Sequence, residues 1–420
     1  MDKIYLWFLL LISCSCSHTK EKVSNDMDSS LCVIDITCEY PVEKVNIHDV
    51  ADVEYVPLET TRNSLLASDC SAFRISDDYI TVASGVDNGN IFFFNRKGRY
   101  LWTFNRRGGS AEEYSSITAW DADFGMQEIY IYDSFRKKIY IYSFDGRYKR
   151  SHALPMKDCT FIDLYNYDKD YLIGYNRFYD FRKKKKVDTH PYYLIDKQSG
   201  EMSSIGIVVD KPISEKVHTE IVKFPGGAYK DQVLFLITAL IKNGDAFLIA
   251  DYALDTIYSY RHHKLVPIAV QTPSVYASDP PVIVACELYT DSYLHFRIIP
   301  MYYNPSAPMS PMADAPELVL NRHTGKIAEW KMYDSNYSSD IERPMPTMIL
   351  QSADRENYGI SMFTAERLIE QYQAGGLKGE LKDIASRLSI DDNDILKNVY
   401  YTQLTLTTKS ILNISVVAES

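Results

Sequence analysis

The run Ile91-Phe92-Phe93-Phe94-Asn95-Arg96-Lys97-Gly98-Arg99-Tyr100 reads as an apolar strand, a tight turn and the start of a second strand. Ile139-Tyr140-Ile141-Tyr142-Ser143-Phe144-Asp145-Gly146-Arg147-Tyr148 repeats that pattern. β-Branched and aromatic side chains suit a pleated surface, and Asn or Asp leading to Gly supplies the positive φ of a hairpin turn. The turn residues Asn95 and Asp145 stand 50 positions apart. In an all-strand chain, a repeat of that length predicts propeller blades.

Fainter copies lie on either side. Tyr193-Leu194-Ile195-Asp196 runs into Lys197-Gln198-Ser199-Gly200, and Leu318-Val319-Leu320-Asn321 into Arg322-His323-Thr324-Gly325. Ile249-Ala250-Asp251 followed by Ile257-Tyr258 matches Ile131-Tyr132-Asp133 followed by Ile139-Tyr140. Earlier strands are expected at 53–58, 72–75 and 79–82. The spacing predicts an all-β fold, a six-bladed β-propeller, with five or seven as the neighbouring counts. Each blade covers the apolar face of the next, and ring closure leaves only short edges. The early strand at 53–58 is expected to complete the last blade. Near the C-terminus the pattern turns helical over 364–373, with Thr364 as N-cap and Gly375-Gly376 as terminator, and again over 377–388. Strand-like composition returns at 400–406 and 411–417.

The chain has 420 residues and is 46% hydrophobic, ample for a large core. Its 33 tyrosines suit half-buried strands and offer a polar edge to ligands. The net charge of −11 argues against nucleic acid as a partner. Seven cysteines occur, at 14, 16, 32, 38, 70, 159 and 286, without zinc-site spacing. Those after the first two read as small buried hydrophobes, with Cys32–Cys38 as the one pair that an oxidising compartment could join.

Residues 1–13 read as an export signal whose apolar run is too short to span a bilayer. It ends Leu11-Ile12-Ser13-Cys14, similar to a bacterial lipobox, which makes Cys14 the expected lipidation site; a plain signal peptide is the other reading. Residues 14–30 form a polar tether, and 31–420 a single propeller domain. Two stretches depart from the blade pattern. Phe181-Arg182-Lys183-Lys184-Lys185-Lys186 is expected at a solvated hairpin tip, with anionic lipid or glycan contact as the alternative. Residues 304–317 carry four prolines and read as a long irregular loop.

Catalytic signatures are missing: there is no H-E-x-x-H, Walker loop, G-x-S-x-G elbow or dinucleotide fingerprint. No catalytic residue, metal site or cofactor is therefore assigned. His262-His263 would point to opposite faces of a strand and read as an exposed pair. The acidic pairs Asp77-Asp78, Glu112-Glu113 and Asp391-Asp392 read as turns. The candidate ligand site is the loop holding Arg106, Arg107, Glu113 and Tyr114. It combines guanidinium forks, a carboxylate and an aromatic face, a set suited to sugars or acidic groups. The competing reading is that Glu113 and Tyr114 pin the inter-blade loop.

Tyr55-Val56-Pro57-Leu58-Glu59-Thr60, Gly108 to Tyr114, Asp255-Thr256-Ile257-Tyr258 and Asp391-Asp392-Asn393 together resemble the six-bladed β-propeller lipoproteins of Bacteroidota, relatives of NHL-repeat propellers without assigned activity. Of that family's G-x-G-P-G-E-Y loop only Gly108, Glu113 and Tyr114 are present, and Asp394 stands where its terminal N-P-V-L has proline. The resemblance implies the fold and an envelope address, and no chemistry. Two functional expectations follow. One is a lipid-anchored binding or scaffold module for a glycan, peptide or partner protein, on the periplasmic face or at the cell surface. The other is a polysaccharide-acting hydrolase or lyase, with its site at one channel mouth and drawing on His152, His190, His218 or His295.

Overall fold

The computed structural model describes residues 31–66, 72–84, 88–155, 160–176, 179–180, 185–186, 190–210, 221–223, 229–231, 239–301, 315–338 and 355–401. The lipobox with Cys14, most of the proline-rich loop, His218, Cys70, Cys159 and the strand expected at 411–417 lie outside these residues. So do residues 181–184 of the basic run, which are flanked by the short pairing of Tyr179–Asp180 with Lys185–Lys186.

Six antiparallel sheets form the blades. Blade 1 holds Ala72–Ile75, Tyr79–Ala83, Ile91–Asn95 and Tyr100–Phe104, and blade 2 holds Ala119–Asp123, Glu128–Asp133, Lys138–Ser143 and Tyr148–Ala153. Blade 3 is built from Phe161–Asn166, Tyr171–Asn176, Tyr192–Asp196 and Met202–Ser204. Blade 4 contains Leu240–Asn243, Ala246–Ile249, Thr256–Arg261 and Lys264–Thr272; blade 5 contains Val282–Tyr289, Tyr293–Pro300, Leu318–Asn321 and Ile327–Tyr333. Blade 6 joins Tyr358–Phe363 and Ile395–Tyr401 to the early strand Ala51–Pro57, as the closure argument requires.

The two-residue period of a strand explains the ring. In blade 2, Ile129, Ile131, Tyr140 and Tyr142 face blade 1, packing with Ile91, Phe93 and Phe104. Their neighbours Tyr130, Tyr132, Ile139 and Ile141 face blade 3, against Phe161, Leu164 and Tyr193. Both faces are buried, so the sequence reads apolar throughout rather than alternating. Comparable cores join the remaining neighbours, ending with Val56, Phe73, Phe92 and Leu396 between blades 6 and 1. The tyrosines differ from expectation. Tyr130, Tyr132, Tyr140 and Tyr142 are fully buried, and their rings supply core volume rather than a wet surface. Burying an aromatic ring contributes roughly 2–3 kcal/mol. Buried hydroxyls still need partners: Tyr130 donates to Glu128 at 2.5 Å and Tyr142 to the Glu112 carbonyl at 2.7 Å.

The N-terminal segment straps the outside of the ring. Cys32–Asp35 adds in parallel to the outer strand of blade 4, and Val42–Asn46 in parallel to that of blade 5. Covering those edges removes two rows of unpaired backbone groups. The chain then enters blade 6. Helices Ala365–Gln373 and Gly379–Ala385 sit between the two C-terminal strands of blade 6 and bury Leu368, Leu381 and Ile384 against Tyr55 and Ile395. Thr364 caps the first by accepting from Arg367 N, and Gly375 at φ +69° follows its end. Cys32, Cys38 and Cys286 are free thiols, with only Cys286 buried. His262 and His263 are not strand residues. They occupy a hairpin turn between two strands of blade 4, at φ +49° and +58°.

Candidate functional site

The loop between blades 1 and 2 folds on itself. Asn105 Oδ1 accepts from Arg107 N at 2.8 Å, Gly108 N donates to the Tyr114 carbonyl at 2.9 Å, and Arg107 and Tyr114 form an isolated bridge. Tyr114 is fully buried, its hydroxyl donating to Gly89 O at 2.6 Å and accepting from Arg106 N at 3.0 Å. Burial pushes its phenol up to about 12. The Glu113 carboxylate accepts from Ser110 N at 2.9 Å and lies across Gly108, where a Cβ would overlap Oε2. Hydrogen bonding from Ser110 holds that carboxyl below the usual range. Arg106 Nε donates to Gly146 O at 2.6 Å. Arg136 of blade 2 braces the same loop through the carbonyls of Gly108, Ser110 and Glu113, at 3.0, 2.7 and 2.8 Å.

All four candidate residues therefore sit on one loop, and Arg106, Glu113 and Tyr114 each have partners that shape it. Arg107 is placed differently. Its Nε donates to Ser115 O at 2.9 Å, and its terminal nitrogens make no hydrogen bond among the described residues. It lines a shallow, open groove of about 510 Å³ together with Asn88, Asn105, Gly108 and Ser115. Among the described residues the wall is polar and uncharged apart from this guanidinium, a composition suited to hydroxyls and carboxylates.

A second polar constellation lies on the first strands of blades 1 to 4. Arg74 Nε donates to Asp121 Oδ1 at 2.7 Å and another guanidinium nitrogen to Trp120 O at 2.8 Å. The guanidinium sits 5.1 Å from the Trp120 ring and 4.8 Å from that of Tyr165. Asp121 Oδ2 accepts from Asn166 N at 2.6 Å and lies 4.0 Å from Lys242 Nζ, so one carboxylate links four blades. Asp163 stands nearby with a buried Oδ2 that no donor reaches among the described residues. Burial pushes its carboxyl up to about 7 against the opposing pull of Arg74. No sequence motif marks these residues. Their signal is a lone charge in an apolar first strand, as in Ala72-Phe73-Arg74-Ile75 and Leu240-Ile241-Lys242-Asn243.

The other histidines are dispersed. His152 pairs with Lys197 O at 3.1 Å on the outer strand of blade 2, whereas His295 is fully buried in blade 5 against Glu317 at 2.8 Å. His190 precedes the third strand of blade 3. Among the described residues, no group of three His, Cys, Asp or Glu side chains is arranged to hold a metal ion.

A solved structure from Bacteroides fragilis, titled a "Putative exported protein", is similar at TM-score 0.57 and 14% identity, covering 88% of this chain and 100% of that one. A DUF4221-family protein from Bacteroides vulgatus is similar at TM-score 0.41 and 10% identity, covering 66% of this chain and 84% of its own. Likeness at the level of the first establishes the fold alone. No curated protein matches the chain. One family profile covers residues 31–271, which hold the strap, the early strand of blade 6 and blades 1 to 4, with the description "Domain of unknown function (DUF4934)". More than half of the sequence fits that profile, so this six-bladed propeller belongs to the DUF4934 family.

Proposed function

We infer that the protein is an exported, lipid-anchored binding module of the cell envelope, and that its ligand is a hydroxyl-rich glycan held at the groove between blades 1 and 2. The observation that carries this reading is Arg107, clamped through Nε in a polar, open groove, with its other nitrogens unbonded among the described residues. A rigid scaffold presenting loop side chains is the usual way a propeller binds. Anchoring at Cys14 draws support from Leu11-Ile12-Ser13-Cys14, and its acyl chains would hold the protein on either face of an outer membrane. Among the described residues no helix is long and apolar enough to cross a membrane. A titration calorimetry screen of neutral and acidic oligosaccharides tests the binding reading. Saturable binding weakened by Arg107→Gln supports it; no glycan binding at all, with a peptide or protein captured in its place, overturns it. Alkynyl-palmitate labelling that Cys14→Ala abolishes tests the anchor.

A polysaccharide-acting hydrolase or lyase is the second reading. Its support is Asp163, a carboxyl poised near neutrality beside an arginine, the condition a general acid needs. Reducing-end release that Asp163→Asn eliminates would establish it, and intact product-free polysaccharide would remove it.

A further inference from the structure

Phe135 is the most exposed large apolar side chain among the described residues, at 79%. A lone exposed phenylalanine is ordinary, but the attachment of this one is not. It sits at the turn between Glu128–Asp133 and Lys138–Ser143 of blade 2. Phe135 N and Arg136 N both donate to Asp133 Oδ1 at 3.0 Å. The other oxygen, Asp133 Oδ2, accepts from Ser115 N at 2.6 Å and Ser115 Oγ at 2.7 Å. Ser115 is a wall of the Arg107 groove, and Arg136 reaches the carbonyl of Gly108, another wall. One carboxylate and one guanidinium thus bolt the aromatic turn to the groove.

Arg107 is equally fixed. Its stem packs on Gly89, where a Cβ would come within 3.0 Å of Arg107 Cβ and 3.1 Å of Cδ, and Gly89 holds φ +71°. Asn105 is committed to the wall, donating to Asn88 O at 3.1 Å and Asn90 Oδ1 at 2.7 Å. The groups left for a ligand are therefore one guanidinium fork, the Asn88 amide and an exposed phenyl ring.

Building on the glycan reading above, we propose that the groove and Phe135 form a single site for a uronic-acid-containing glycan. The Arg107 fork takes the sugar carboxylate in a bidentate pair, and the Asn88 amide takes a hydroxyl. The ring of Phe135 packs under the apolar face of the adjoining sugar, burying part of the roughly 150–250 Å² that an aromatic side chain offers. The net charge of −11 disfavours a long polyanion, so the fit is to a uronate flanked by neutral sugars. The turn backbone that carries Phe135 and the stem of Arg107 are already held, so little of their freedom is lost on binding.

The test compares three probes by titration calorimetry: a neutral tetrasaccharide, the same tetrasaccharide with one glucose replaced by glucuronic acid, and a glutamate-containing tetrapeptide. The expected result is binding of the acidic sugar about ten-fold tighter than its neutral parent. Arg107→Gln should level the two sugars, whereas Phe135→Ala should weaken both about ten-fold. Both side chains are exposed, and unchanged circular dichroism melting confirms that each variant folds. Equal binding of the two sugars to wild type and to Arg107→Gln overturns the uronate assignment while leaving a glycan site. Binding of neither sugar, or tighter binding of the peptide through Arg107, overturns the glycan reading as well.

Discussion

Glu128 and Asp163 both lie beside an arginine, and their proton affinities move in opposite directions. Burial alone would raise Glu128, but hydrogen bonds from Arg150, Lys149 and Tyr130 overcome it and hold the carboxyl at about 2. Asp163 has no such donors at Oδ2, so burial prevails and its carboxyl stands at about 7. For Glu128 the folded form binds its proton more weakly than the unfolded chain. Its stabilisation is therefore present above about pH 4.5 and is lost as the pH falls through 2. Glu128→Gln should cost up to about 3 kcal/mol at pH 7, with the difference from wild type shrinking below pH 4. For Asp163 the folded form binds the proton more tightly, so ionisation costs stability increasingly from about pH 4 to 7 and fully above. Asp163→Asn should stabilise the protein at pH 8, by at most about 4 kcal/mol, and give no gain near pH 4. Urea midpoints at the two pH values check both; a gain of the same size at pH 4 and pH 8 would show that Asp163 is ionised throughout.

Turns show what could be read locally and what could not. Asn95 to Gly98 and Asp145-Gly146 were legible because glycine at φ +78° and +84° meets the backbone requirement in the residue's own chemistry. The hairpin at His262-His263 was not, because two left-handed non-glycine residues go against local preference and are imposed by the flanking pairing of Arg261 with Lys264. His263 is held there, its N donating to Tyr167 Oη at 2.7 Å and its ring meeting Asp168 at 3.1 Å. His262 is exposed and, among the described residues, has only a 3.5 Å polar contact, with Asp245. Replacing His262 with Gly should therefore relieve strain and stabilise by about 0.5–1 kcal/mol, read as a higher urea midpoint; a lower midpoint would mean the Asp245 contact outweighs the strain. The candidate loop was legible in part. The set Arg106, Arg107, Glu113 and Tyr114 falls on one short loop, but Phe135 lies on a separate turn of blade 2 and joins it through the hydrogen bonds of Asp133 and Arg136. Arg74, Asp121, Asp163 and Lys242 come from four blades, and nothing in any one strand shows that the others converge on it.

At the scale of the ring, closure depends on a charge. Asp334 accepts from Tyr55 Oη at 2.8 Å, Lys397 Nζ at 2.7 Å and Asn336 N at 2.9 Å, and it pairs with His48 at 3.1 Å. Burial opposes its ionisation, yet His48 and Lys397 hold it far below the usual carboxylate range. It joins the end of blade 5 to both strands of blade 6 that complete the circle. Asp334→Ala should cost about 3–5 kcal/mol by leaving Lys397 buried and uncompensated, and adding Lys397→Met should restore part of that loss in a double-mutant cycle. Simple additivity would show that the two do not act as a pair. The strand at 53–58 could be assigned to closure from propeller logic, but the parallel additions of Cys32–Asp35 and Val42–Asn46 could not, since their partners lie more than 200 positions away. That separation sets an order of events in time. The strap is synthesised well before blades 4 and 5, so it waits unpaired until they emerge, and joining it to them closes long loops, which slows folding. A circular permutant that begins after Pro57 and carries the strap at its C-terminus would meet its partners as it emerges, and should reach the same ring sooner.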